Sequence, residues 1–459
     1  MSNYNASDRP SIKELLASQG PLADVSTQGW VRTRRDAKGL SFLEVNDGSC
    51  LRNLQVVILD DAGLAEKARE ATTGAAVRVR GDLSTSQGQG QAWELVARDL
   101  EVVGPSGPDY PLQKKRHTDE YLREIAHLRP RTNKYGAIMR LRGEMAWAVH
   151  DFFRGRGFLH VHTPIITGND CEGAGALFRV TTLPEGLAPD AGEDFFGRPA
   201  SLTVSGQLEG ELLALALGRI YAFGPTFRAE NSNTARHSAE FWMIEPEAAF
   251  FDLADDMALA EDLVKFLVAY ALDRCLPDLE LFDRFVEKGL LGRLEALAKA
   301  DYVRMPYAEA IDRLSGSGDG FAFRPFYGCD LASEHERFLC EAVGAPVIVH
   351  DYPSSIKPFY MRLSDDGRTV AAMDMLVPRV GELVGGSQRE ERLDVLSRRL
   401  DELGLSREAY WWYLDTRRWG GAPHSGFGLG FDRFLMLLTG VNNIRDVQPF
   451  PRTPRNLEF

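Results

Sequence analysis

Between residues 104 and 111 the chain reads GPSGPDYP, and the hydrophobic pattern on its two sides follows different periods. Glycine and proline at this density interrupt helices and strands alike, so the stretch marks a domain boundary. Before it, short alternating segments recur: VSTQGWVRTRR, LSFLEVNDGSC with its Asn46-Asp47-Gly48 turn, LRNLQVVIL, AAVRVRGDLS and AWELVARDLEVV. One helical stretch, DDAGLAEKARE at 60–70, lies among them. About five short strands and a helix predict a small closed barrel over residues 1–104.

Residues 105–130 are polar and basic and read as a hinge. From about 135 onward apolar residues take helical spacing in AIMRLRGEMAWAVHDFFRGRGF. LHVHTPIIT then reads as a strand containing Pro164, and SLTV as a strand that leads into a helix beginning near Ser205 and Gly206. FFDLADDMALAEDLVKFLVAYALDRC is a long amphipathic helix, FYMRLSD and VAAMDMLVPRV read as adjacent strands, and SQREERLDVLSRRLDELGL as a charged helix. Without regular strand–helix alternation, residues 131–459 predict an antiparallel α+β domain.

Composition narrows the function. A chain of 459 residues is too long for one ordinary core. The five cysteines are scattered without a CxxC pair, which argues against a disulfide framework or a zinc site. A net charge of −13 speaks against nucleic-acid binding over the whole surface and leaves a local basic patch open. No apolar run approaches a membrane span and the N-terminus lacks a signal-peptide core, so the expected location is cytoplasmic, with no membrane partner.

The stretch FRAENSNTARHSAEFWMIEPE at 227–247 sets arginines, glutamates and a histidine among large apolar residues. Read as two strands and a loop, it places Arg228 and Glu230 on one face of the first strand, and Phe241, Met243, Glu245 and Glu247 on one face of the second. Pro246 suggests an edge or a bulge there, and Arg236 and His237 fall at the loop tip. Arginine for phosphate, an aromatic face for a base and a carboxylate for an exocyclic amine would suit a nucleotide. A salt-bridged surface hairpin is the alternative. GFGLGFDRFLML at 426–437 puts Arg433 at a helix start behind three glycines, which favours phosphate, although a tight packing turn explains the glycines equally well.

GFLHVHTP, the 227–247 stretch and GFGLGFDRFLML, in this order, resemble motifs 1, 2 and 3 of class II aminoacyl-tRNA synthetases. TGNDCEGAG, FFGRPASLTVSGQLEGE, RHSAEFWMIEPE, VGELVGGSQRE and PFPRTP resemble the bacterial asparaginyl branch of that class over essentially the whole chain. The resemblance implies an N-terminal OB-fold barrel that binds the anticodon, followed by an antiparallel sheet flanked by helices. It implies activation of L-asparagine by ATP, with Mg²⁺, and transfer to tRNA(Asn). Arg228 would hold the α-phosphate, Glu230 would sit near ATP, Phe241 would stack on adenine, and His237 and Arg433 would reach the outer phosphates. Asp374 and Glu382 would be Mg²⁺ ligands, being hard carboxylates on neighbouring strands; an ordinary strand-end charge is the alternative for Asp374. Ser205 and Gln207 are candidates for the substrate ammonium, with a helix cap the alternative for Ser205.

The same resemblance raises the question of asparagine against aspartate. Both side chains offer an oxygen to Arg389, but only the amide donates. Glu245 would accept from that amide and repel a carboxylate by roughly 4 kcal/mol at 4 Å and an effective dielectric near 20, about a thousandfold. Gly210, where aspartyl enzymes carry lysine, points the same way, while Arg455 stands where the pattern has glycine. TGNDCEGAG at 167–175 reads as a loop closing over substrate, or as a plain surface loop. In the barrel, Arg32, Arg34 and Arg35 form a basic strand end, Phe42 would stack on an anticodon base, unless it is barrel core, and Gln55 would read a base edge. Motif 1 implies a homodimer. The competing readings are an aspartyl enzyme serving two tRNAs, an asparagine-making relative, which would lack the barrel, and an inactive tRNA-binding protein.

Overall fold

The computed structural model describes residues 9–59, 62–88, 90–171, 177–184, 192–232, 234–318 and 320–459. The chain divides into two compact units, Met1–Arg140 and Leu141–Phe459.

In the first unit, β1 (Leu22–Ala37), β2 (Leu40–Asn46), β3 (Leu54–Leu59), β4 (Ala76–Thr85) and β5 (Trp93–Gly104) close into a barrel in the order β1-β2-β3-β5-β4. The period of two decides which side chains fill it. In β2, Leu43 and Val45 point inward and are buried, whereas Glu44 faces outward and is exposed. Val56, Ile58, Val77, Val79, Leu95 and Leu100 complete the interior, each contributing about 1.5–3 kcal/mol by burial. The helix Ala62–Glu70 joins β3 to β4, where the sequence predicted it.

The second unit is built on eight strands, β6 (Leu159–His160), β10 (Arg219–Phe227), β11 (Glu240–Ala249), β12 (Val303–Pro306), β13 (Val347–Pro353), β14 (Thr369–Val377), β15 (Gly381–Gln388) and β16 (His424–Gly430). Their order is β12-β13-β14-β15-β16-β11-β10-β6. The six central strands are antiparallel, and the two edge strands, β12 and β6, run parallel to their neighbours. Three short strands, β7 (Ile166–Thr167), β8 (Arg179–Val180) and β9 (Ala200–Leu202), make a separate small sheet. The helix Leu253–Arg274 packs on β14, β15 and β16. A capping box between Asp252 and Asp255 starts it, and its Leu263, Val264, Leu267 and Val268 are buried.

The structure redraws several local expectations. β10 ends at Phe227, so Arg228 and Glu230 lie in the connecting loop rather than on a strand face, although the Arg228 N–H still donates to the Ala239 carbonyl at 2.9 Å. LHVHTPIIT is two short strands in different sheets, since Pro164 offers no N–H to continue a ladder. FYMRLSD makes only isolated bridges, Met361 with Arg389 and Leu363 with Val370. Pro246 sits in a central strand, not at an edge. The β11–β16 ladder lapses between Ile244↔Leu429 and Glu247↔Gly426, where its missing N–H falls, while pairing to β10 continues through Tyr221↔Pro246. The charged helix begins only at Leu393, because Ser387 and Gln388 belong to β15 and the Arg389 N–H donates to the His424 carbonyl at 2.8 Å. Arg455 has φ 62°, the left-handed conformation for which glycine is the easy residue.

Candidate active site

The loop between β10 and β11, the start of β15 and the start of the helix Phe431–Thr439 enclose a cavity of about 780 Å³, its open mouth included. Arg228, Glu230, His237, Phe241, Glu382 and Arg433 line it together. Arg228 carries its guanidinium 5.7 Å from the Phe241 ring centroid, so a cation and an aromatic face are offered side by side. Gly430 caps the helix that carries Arg433, and the neighbouring Asp432 anchors that helix start. Asp432 is buried, accepts from Arg142 Nη1 at 2.5 Å, and takes the Trp242 N–H at 3.1 Å and Gln448 Nε2 at 3.2 Å.

The loop tip is tied down. Arg236 donates to Ser333 Oγ at 2.6 Å and to Glu336 Oε2 at 3.3 Å, and the same carboxylate oxygen accepts the Glu382 N–H at 3.1 Å. His237 Nδ1 lies 2.7 Å from Thr234 Oγ1 and 2.9 Å from Ser232 Oγ. Burial, reinforced by Arg433, Arg236 and Arg228, lowers the His237 pKa below the usual imidazole value, against the pull of Glu230. The ring therefore enters neutral solution uncharged, as a hydrogen-bonding group among arginines.

Asp374 and Glu382 stand on adjacent strands and converge over Gly385. A Cβ at that glycine would come 3.3 Å from Glu382 Oε1 and 3.4 Å from Asp374 Oδ1. The hydrogen atom there leaves the space between the carboxylates open. Two hard oxygen donors at an open cradle fit Mg²⁺, which takes one or two carboxylates and draws its other ligands from substrate phosphate and water. Among the described residues, no group of three or more His, Cys, Asp or Glu gathers as a metal cluster. Both carboxylates carry cations of the chain: Lys357 Nζ is 2.9 Å from Asp374 Oδ2, and Arg433 Nη1 is 3.2 Å from Glu382 Oε2. Burial pushes the Asp374 carboxyl up, with Lys357 pulling against it. Burial acts on Glu382 too, but Arg433 and Lys357 outweigh it and hold its carboxyl below the ordinary value.

β11 leads from Phe241 toward a second polar cluster, which the first cavity does not include. Side chains on one face of a strand advance by roughly 7 Å per pair, so Glu245 and Glu247 lie successively further along. Glu245 accepts from Ser205 Oγ and from the Gly206 N–H at 3.2 Å. Ser205 both binds this carboxylate and accepts the Gln207 N–H at 3.1 Å, at the start of the helix Gln207–Leu217. Glu247 grips Arg389, at 2.5 Å to Nη2 and 3.2 Å to Nε, and Ser387 Oγ accepts from Nη1 at 2.9 Å. A Cβ at Gly426 would collide with the Glu247 carboxylate, so that glycine makes its room. Gly210 lies against the stem of the same side chain, its would-be Cβ 3.5 Å from Glu247 Cγ and 3.6 Å from Ile220 Cδ1.

Glu211 stands behind this pair and is fully buried. It accepts from Gln207 Nε2 at 2.9 Å, Tyr413 Oη at 2.7 Å and Arg417 Nη2, and lies 3.0 Å from His424 Nε2. Burial opposes its charge, but Arg417, His424 and Arg389 outweigh the penalty and hold it ionised. Glu211, Glu247, Tyr413, Arg417 and His424 were not among the residues singled out in the sequence for substrate. The alternation that places Glu247 with Glu245, and the one-turn spacing of Gln207 and Glu211, were the available signals.

In the barrel, Phe42 and Gln55 share the outer face of β2 and β3, and Arg35 lies 4.7 Å over the Phe42 ring. Phe42 is half-buried and outward-facing rather than core. Arg34 stands apart, opposite inward-facing Leu43, held by Asp36 at 2.8 Å and by the Arg69 carbonyl at 2.8 Å. Arg32 donates to Asn133 Oδ1 at 2.7 Å, and Gln55 donates to Glu94 at 3.0 Å. Of the loop 167–175, residues 172–175 lie outside the described residues; Asn169 donates to the Ala409 carbonyl at 2.7 Å.

A hairpin loop closing over a central antiparallel sheet, opposite an arginine on a glycine-backed helix, is the plan of the class II aminoacyl-tRNA synthetases, and the chain belongs to that class. Residues 118–454 match the family described as tRNA synthetases class II (D, K and N), and residues 25–103 match the OB-fold nucleic acid binding domain. Within the class, the chain belongs to the asparagine–tRNA ligase family. It is 59% identical to the asparagine–tRNA ligase of Oleidesulfovibrio alaskensis, over 98% of this chain and 100% of that one. It is 60% identical to that of Nitratidesulfovibrio vulgaris, with the same coverage. Its fold matches asparaginyl-tRNA synthetase from Pyrococcus horikoshii, complexed with asparaginyl-adenylate, with a TM-score of 0.87 at 32% identity, covering 98% and 99% of the two chains.

Proposed function

We propose that the chain activates L-asparagine with ATP to asparaginyl-adenylate and transfers the asparaginyl group to tRNA(Asn), and that its two polar clusters divide the first task. The observation that carries this reading is their joint placement on β11. A nucleotide-sized cavity with Phe241 and Arg228 lies at one end, and the buried Arg389–Glu247 pair lies a few residues further along the same face.

Adenine stacks on Phe241 beside Glu230. Arg228 bridges the α-phosphate and the amino-acid carboxylate, and His237 and Arg433 take the outer phosphates. Asp374 and Glu382 would hold Mg²⁺, which would offset phosphate charge. No side chain acts as a nucleophile: the asparagine carboxylate attacks the α-phosphorus and pyrophosphate departs. The residues align the two substrates and stabilise charge in a partly desolvated cavity. Ser205 and Gln207 stand at the substrate ammonium, with Glu245 hydrogen-bonded to Ser205. Arg389 meets the side-chain oxygen, and Glu245 reads the amide.

The outer face of the barrel, with Phe42 and Gln55, takes the anticodon, and Arg32 and Arg34 supply positive charge for the tRNA backbone. Exposed Leu159, Ile165, Ile166 and Trp147 supply an apolar surface around the motif 1 segment, which supports a homodimer. No helix among the described residues is long and apolar enough to cross a membrane, and a cytoplasmic setting suits an enzyme of translation.

Amino-acid-dependent ATP–pyrophosphate exchange tests the reading, with asparagine and aspartate side by side in wild type and Glu245→Gln. Strong exchange with asparagine, weak exchange with aspartate and a reduced contrast in the variant are expected. Equal exchange with both amino acids in wild type would overturn the assigned selectivity.

A further inference from the structure

The two carboxylates assigned to Mg²⁺ are each neutralised by a side chain of the chain itself, but the two cations are differently built. Arg433 lines the nucleotide cavity and also donates to the Glu382 carbonyl at 3.1 Å. Lys357 does not line that cavity. Its Nζ lies 2.9 Å from Asp374 and 3.9 Å from the centroid of the buried Tyr352 ring. The backbone beneath it is pinned, since Arg399 Nη2 donates to the Ser354 carbonyl at 2.9 Å and to the Lys357 carbonyl at 3.3 Å. A largely desolvated ammonium between a carboxylate and an aromatic face is held by more than a surface ion pair. The long lysine stem also lets the head withdraw while the backbone stays fixed.

We propose that Lys357 is a tethered counter-ion for the metal position. Before nucleotide binds, it neutralises Asp374, keeps that carboxylate turned toward Glu382, and makes the pair a poor site for a free divalent ion. Two bare carboxylates this close would repel each other and attract any divalent cation. Paired with Lys357 and Arg433, the four groups carry no net charge, and an incoming ion must displace an existing ion pair. Phosphate oxygens tip that exchange by adding ligands the protein lacks, so the metal is taken up together with ATP. Lys357 is thereby a positioning residue that acts through Asp374, and the inference rests on the assignment of Asp374 and Glu382 as the metal ligands.

Electron paramagnetic resonance of Mn²⁺, used in place of Mg²⁺, tests this on the full-length protein without turnover. Wild type, Lys357→Met, Lys357→Arg and Asp374→Asn are compared with Mn²⁺ alone and with Mn²⁺ plus a non-hydrolysable ATP analogue. Lys357→Met is expected to bind Mn²⁺ alone at least about tenfold more tightly than wild type, because an opposing unit charge has left a partly buried site. Lys357→Arg is expected to stay close to wild type. Equal affinity for free Mn²⁺ in wild type and Lys357→Met would overturn the proposal. Lys357→Gln gives the same comparison if the methionine variant folds poorly by circular dichroism. Should Asp374→Asn leave Mn²⁺–nucleotide binding intact, the metal assignment itself fails, which is a separate result from a failure of the lysine's role.

Discussion

Glu247 holds the guanidinium of Arg389 at two points, 2.5 Å to Nη2 and 3.2 Å to Nε, with both side chains buried. A planar fork gripped along one edge keeps its orientation, which a lone arginine does not. Burial pushes the Glu247 carboxyl up and Glu211 adds to that push, while Arg389 opposes both. Two guanidinium N–H groups, one to each oxygen, are matched best by the ionised carboxylate, so this geometry favours the ion pair.

Glu247→Gln should therefore uncouple binding from fold only in part. One hydrogen bond to Arg389 can survive through the amide oxygen, but the charge partner is gone and Glu211 is left as the nearby anion. A loss of about 2–4 kcal/mol in stability is expected, read as a lower denaturant midpoint. The KM for asparagine in pyrophosphate exchange should rise more than the KM for ATP. Unchanged stability and unchanged asparagine KM together would remove Glu247 from the account.

Asp432 joins three elements through one carboxylate, and Arg142 is its charge partner at 2.5 Å. Asp432→Ala leaves that guanidinium, with a side chain only 15% exposed, without this anion. The expected cost is about 3–5 kcal/mol, visible in the thermal midpoint. Because Asp432 precedes Arg433 at the helix start, the KM for ATP should rise as well, and wild-type ATP affinity in this variant would count against the anchoring role.

His150 Nδ1 lies 2.7 Å from the Tyr221 hydroxyl, and burial lowers its pKa below the ordinary imidazole value. The folded protein then binds the proton less readily than the unfolded chain does. Its stabilising contribution is present above the unfolded pKa of about 6.5 and is lost as pH falls through that value toward the lower folded one. Denaturation of wild type and His150→Gln at pH 7 and pH 5 should show the difference between them shrinking at the lower pH. A difference that grows on acidification would contradict the sign of the shift.

Phe42 is half-buried on the outer face of the barrel under Arg35. If it stacks on an anticodon base, Phe42→Ala should raise the KM for tRNA in aminoacylation by roughly five- to a hundred-and-fiftyfold, from about 1–3 kcal/mol of stacking. Pyrophosphate exchange, which needs no tRNA, should not change. An equal fall in both assays would point to a barrel packing role.

The period of two in the first hundred residues was enough to predict a five-stranded barrel, since each strand's apolar set must share one interior. The glycines before Arg433 and the charges among the residues of 227–247 were equally legible, because their spacing is local. What lay beyond the sequence were the partners supplied by distant segments. Arg389 falls in a stretch whose charges read as helix, yet its N–H donates to the His424 carbonyl of β16, which places it just past the end of β15. Pro246 reads as an edge, yet it occupies a central strand because its missing N–H falls where the ladder lapses. Glu211 meets Tyr413 and Arg417 some two hundred residues away, and Lys357 meets Asp374 across a loop and a strand. Local periodicity determines which elements form and which face they bury. Only the assembled tertiary structure decides which buried charges share a desolvated space, because that choice depends on burial and on partners that the linear order does not bring together.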